Sequence, residues 1–104
     1  MNTKSISQVV KIEEQRITFS DGEVLEYTEC VKIFNSIYPD SNSNCIAQRD
    51  ITANPPFFEF YANPVHLKIV FDYKGLFQKS KNKRAFREFH KQILEYGFTT
   101  YDLS

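Results

Sequence analysis

The sequence predicts an α+β domain, and three observations predict it: an Asp21-Gly22 turn between runs of alternating apolar residues, a change to helical spacing after Tyr27, and a second helical stripe from Asn82 to Tyr96. In chain order the elements read β-β-β-α-β-β-β-α with a short β-prone tail. Hairpin connections imply a small antiparallel sheet of about five or six strands with both helices packed on one face. With 104 residues the chain has room for one core, so residues 1–104 are expected to form a single domain.

The segment Val9–Tyr27 reads as a β-meander. Its second hairpin sets Arg16-Ile17-Thr18-Phe19 against Glu23-Val24-Leu25-Glu26-Tyr27 across Ser20-Asp21-Gly22. A three-residue loop with Gly22 in the left-handed position places Ile17 opposite Leu25 and Arg16 opposite Glu26. A two-residue loop would instead pair Ile17 with Glu26, so the first register is preferred. Ile17, Phe19, Leu25 and Tyr27 then share one face.

From Thr28 the period becomes helical, because Cys30, Ile33, Phe34 and Ile37 follow i, i+3, i+4, i+7 spacing, with Thr28 as the expected N-cap. Pro39 ends this helix, and Asp40 to Asn44 is a polar loop. Cys45 to Thr52 is read as a strand, broken by Asn54-Pro55-Pro56. Phe57–Tyr61 and His66–Tyr73 flank Ala62-Asn63-Pro64-Val65 with the spacing of a hairpin. That register pairs Phe60 with Leu67 and Phe58 with Ile69 on the core face. Tyr61, His66, Glu59, Lys68, Phe57 and Val70 fall on the other.

The closing helix is expected over 82–96, with Phe86, Phe89, Ile93 and Tyr96 inward. Arg84 with Glu88 and Lys91 with Glu95 are opposite charges four apart. Gly97 suits the left-handed position after a helix, with Phe98 folding back on Ile93, and Thr99–Leu103 would add at a sheet edge.

Ten Phe and six Tyr within a 41% hydrophobic chain supply the bulk for a core, which argues against disorder. The formal net charge is zero, so no general attraction to nucleic acid or anionic membrane is expected. Met1 to Ser7 has no signal-peptide apolar run, and no stretch approaches the roughly 18 apolar residues of a membrane span. A cytoplasmic location without membrane association is the expectation. Cys30 and Cys45 are read as buried small hydrophobes.

Charge is unevenly spread. Lys74, Lys79, Lys81, Lys83, Arg84, Arg87 and Lys91 lie beside a single acid, Glu88, whereas residues 1–40 hold Lys4, Lys11, Arg16 and Lys32 against seven acids. The plain reading of the basic run is a solvated helix face. The functional reading is a contact surface for an acidic protein or a phosphate backbone, using Lys79, Lys81, Lys83, Arg84, Arg87 and Lys91. Tyr61 and Lys68, with Phe57 beside them, could add a stacking surface of the kind single-strand binders use. A small second core explains Phe57 and Val70 equally well.

His66 and His90 have no ligand at metal spacing, and the three glycines leave no Gly-rich phosphate cradle, so neither metal nor cofactor is expected. A Cys45–His66 nucleophile and base would need folding to unite them, and no orienting group is evident. No catalytic residue is assigned. The leading functional expectation is a non-enzymatic binding or regulatory module that docks on a larger protein partner with an acidic surface. A nucleic-acid-binding domain using segment 79–91 comes second, and a small hydrolase or nuclease third. Self-pairing of an edge strand would give a homodimer.

Overall fold

The computed structural model describes residues 2–103, leaving Met1 and Ser104 of the expected 1–104 domain outside the described residues. Eight strands and two helices follow one another as β1 (Asn2–Ser5), β2 (Val9–Glu13), β3 (Arg16–Phe19), β4 (Val24–Glu26), α1 (Tyr27–Ile37), β5 (Cys45–Asp50), β6 (Phe57–Phe60), β7 (Leu67–Val70), α2 (Gln78–Leu94) and β8 (Thr99–Asp102). The α+β class is the one the periodicity indicated. The strands divide into a five-stranded sheet ordered β1-β7-β6-β5-β8 and a three-stranded sheet ordered β2-β3-β4.

Both hairpin registers follow from the sequence pattern. In the meander Arg16 faces Glu26 and Ile17 faces Leu25, with Gly22 at φ +89 and its N–H donating to the Phe19 carbonyl at 2.9 Å. Only a residue without a Cβ takes that backbone conformation freely. In the larger sheet Phe58 pairs with Ile69 and Phe60 with Leu67, and all four side chains are buried.

The larger sheet is mixed rather than antiparallel throughout, because both of its edges are added in parallel: β1 along β7 and β8 along β5. The tail thus takes its expected edge place. β1 has no counterpart in the pattern, since Asn2-Thr3-Lys4-Ser5 has no apolar alternation and its partner lies far along the chain.

α2 lies on the sheet face that carries Phe58, Phe60 and Phe71. Phe58 meets Phe86 and Phe89 with ring centroids 4.6 and 5.1 Å apart, and Phe71 meets the same two rings at 5.4 and 5.5 Å. Such pairs add roughly 0.5–1.5 kcal/mol each beyond the area they bury. α1 does not share this face fully; it packs against β5 and β4. Its Tyr27 meets Tyr96 and Phe98, which follow α2. Its Phe34 packs on Tyr61 and Tyr101, 5.2 and 6.0 Å away, at positions that alternate with Phe60 and Thr100 and so point away from α2.

Both helices begin earlier than expected. α1 starts at Tyr27 directly from β4, so Glu26 rather than Thr28 occupies the cap position, with no side-chain cap bond. That start turns its buried stripe to Tyr27, Cys30 and Phe34, leaving Ile37 exposed. α2 starts at Gln78, four residues before the expected Asn82, and ends at Leu94. Asn82 is buried within it and holds the preceding loop, accepting from the Tyr73 N–H at 2.8 Å and donating to the Tyr73 carbonyl at 3.2 Å. Gly97 is left-handed, at φ +81. Among the described residues no helix is long and apolar enough to cross a membrane.

Candidate docking surface

α2 turns Asn82, Phe86, Phe89 and Ile93 inward, and the helical period then dictates where its cations go. Lys79, Lys83, Arg87 and Lys91 are each four residues apart, so they form one ridge that rises roughly 18 Å along the axis. Arg84 stands beside it, and all five are exposed. Lys81 lies on the other flank with its ammonium 4.7 Å from the Tyr73 ring centroid. Among the described residues no α2 cation lies within 4.0 Å of a carboxylate, and this includes the expected Arg84–Glu88 and Lys91–Glu95 partners. Like charges at this spacing oppose the helix by about 0.2–0.5 kcal/mol per pair. The ridge is a tolerated electrostatic cost.

Immediately before the helix, Leu76 and Phe77 are 89% and 83% exposed. Phe77 occupies the N-cap position in the left-handed region, at φ 60 and ψ 29, and makes no cap bond. Neither residue is marked by the periodicity of the chain. The pair's signal was two large apolar residues between Gly75 and a basic run, belonging to neither helical stripe.

The other expected contact residues are engaged within the fold. Tyr61 is buried against Phe34, and burial pushes its hydroxyl up to about 12. Lys68 places its ammonium 4.0 Å from the Phe57 ring centroid, so a cation of the chain itself covers the ring that a base would stack on.

At the amino-terminal side Lys4 is nearly covered and bonds Asp21 and Glu23, the latter at 2.8 Å. Those hydrogen bonds raise the Lys4 pKa and hold both carboxyls below their ordinary values, Glu23 with help from the Asn2 amide. A cavity of about 310 Å³ opens nearby, with Glu23, Glu26 and Glu29 around buried Leu25 and Leu67. Glu26 meets Arg16 at 2.8 Å and Glu29 meets Lys32 at 3.8 Å, both solvent-exposed pairs.

The histidines and cysteines are built into the packing. His90 rests against Phe58 and Phe86, with Nε2 3.1 Å from the Thr100 hydroxyl. Burial and the nearby Arg49 charge lower its pKa. His66 lies against Tyr61. The Cys45 thiol donates to the Ala47 carbonyl, and burial raises its pKa, the reverse of what an attacking thiolate needs. Cys30 is buried and pushed up to about 12. Among the described residues no three His, Cys, Asp or Glu side chains assemble as a metal site.

The fold and this surface define an α+β domain with an unneutralised basic ridge and an apolar tip. Comparison with protein-family models, with curated proteins and with solved structures finds no match.

Proposed function

We propose that this protein is a non-enzymatic docking module that seats the outer face of α2 on an acidic surface of a larger protein. One observation carries the reading: Lys79, Lys83, Arg87 and Lys91 form a continuous ridge with no carboxylate within 4.0 Å among the described residues. A ridge that opposes its own helix gains when an acidic surface meets it. The reading prefers protein to nucleic acid because the ring of Phe57 is covered by Lys68 and Tyr61 is buried.

The test is recovery of a stoichiometric partner from the native host by the unaltered chain, followed by its identification and by binding of the purified pair. The triple variant K83E/R84E/R87E is expected to release that partner while keeping the fold, and added salt is expected to weaken the complex. A partner that binds the triple variant as tightly would overturn the reading. Retention of single-stranded DNA or RNA at low salt, lost in the same variant, would move it to nucleic acid.

A further inference from the structure

Within the fold, the Leu76–Phe77 tip has no account. Phe77 is a bulky residue in a backbone conformation that suits Gly or Asn, it stands where a helix wants a capping side chain and supplies none, and its ring faces water. Leu76 is more exposed still. Strain, a missing cap and uncovered apolar area meet in one dipeptide, with exposed Lys74 before it and Lys79 after it. Strained backbone at an exposed apolar tip is a mark of a contact site.

The same molecule carries a cavity with the complementary properties. Its walls bring Glu23, Glu26 and Glu29 around Leu25 and Leu67, and its volume of about 310 Å³ lies at the lower end of pockets that bury small ligands. We propose that copies of this chain associate head to tail, the Leu76–Phe77 tip of one entering the acid-rimmed cavity of the next.

Topology makes the contact intermolecular. The cavity is at Leu67, where β7 begins, and the tip follows Phe71 and Tyr73, beyond the strand's other end. The extended strand holds the two apart, so one copy's tip faces another copy's cavity. Such a contact joins two different patches, leaves one of each unfilled at the ends, and adds further copies instead of stopping at two. Charge at the contact itself favours the same pairing: exposed Lys74 and Lys79 flank the tip, and Glu23, Glu26 and Glu29 line the cavity. The Arg16–Glu26 and Lys32–Glu29 pairs at the rim are exposed and therefore cheap to exchange for an incoming lysine. The ridge from Lys83 to Lys91 takes no part, so this inference stands independently of the partner proposed above.

Sedimentation velocity over a concentration series tests it with two variants, L76S/F77N at the tip and E26K/E29K at the cavity. The unaltered chain is expected to gain mass with concentration at low salt, past the dimer, and each variant alone to remain a monomer. An equimolar mixture of the two variants should form a dimer and nothing larger, because each retains one competent surface. The tip variant should also unfold at a higher temperature than the unaltered chain, since Asn tolerates the left-handed backbone better than Phe, which separates lost association from lost folding. A chain that stays monomeric up to about 1 mM, the range of very weak association, would overturn the proposal. So would a mixture that stays monomeric, or variants that assemble like the parent. Tip-dependent binding of the monomer to phosphatidylserine vesicles would likewise overturn it, in favour of a lipid surface.

Discussion

At one end of the molecule Lys4 is nearly covered, lies over the Phe19 ring and bonds two carboxylates. Along α2, Lys79, Lys83, Arg87 and Lys91 repeat in the open, with no carboxylate within 4.0 Å among the described residues. The two regions hold the same kind of charge in opposite states. The first is spent on holding β1 to the meander, since β1 has no apolar pattern and Lys4 is its buried side chain. The second is left over after folding, and only the second is available to another molecule.

The largest effect is expected at Lys4. Replacing it with Ala leaves Asp21 and Glu23 facing each other without their shared cation and should lower the unfolding temperature more than any single change on the ridge. The pH profile identifies the cause. Because both carboxyls are held below their ordinary values by Lys4, their contribution is present above the normal carboxylate range and is lost as the pH falls through the depressed values. The raised Lys4 pKa acts at the other limit, its contribution persisting until the pH climbs past the ordinary lysine value. The gap between parent and Lys4→Ala, full at neutral pH, should therefore narrow on acidification below about pH 4. A gap that stays constant there would show packing on Phe19, and not charge, to be the tie.

An effect of opposite sign is expected at the tip. Phe77→Asn should stabilise the chain by about 1 kcal/mol, the scale of a left-handed penalty relieved, read as a rise in the denaturant midpoint with unchanged slope. The smallest effect is on the ridge itself. Lys83→Gln removes like-charge contacts with Lys79 and Arg87 and should change stability by no more than about 0.5 kcal/mol, upward at low salt and vanishing as salt is added. A clear loss of stability would mean that Lys83 is held within the fold as Lys4 is.

Much of the architecture was legible because it is written in neighbours. Asp21-Gly22 and the alternation around it specify the first hairpin, and the phase of Phe58 and Phe60 against Leu67 and Ile69 specifies the second. The inner stripe of α2 was legible for the same reason. β1 was not, since a polar four-residue strand gains its place from a parallel partner more than sixty positions away. Nor was the burial of Tyr61, which depends on where α1 lies. Of the candidate contact residues, the α2 cations remain exposed, while Tyr61 and Lys68 are taken up by Phe34 and Phe57.

The sequence by itself determined the α+β class, both hairpin registers and the amphipathic closing helix, because turn chemistry and periodicity act between residues a few positions apart. The tertiary structure decided which charges are neutralised and which apolar groups stay uncovered. Those outcomes depend on separations of a few ångströms between distant parts of the chain, as when β1 brings Lys4 to Asp21 and Glu23. No periodicity records whether such a partner arrives, and among the described residues no carboxylate reaches the cations of α2.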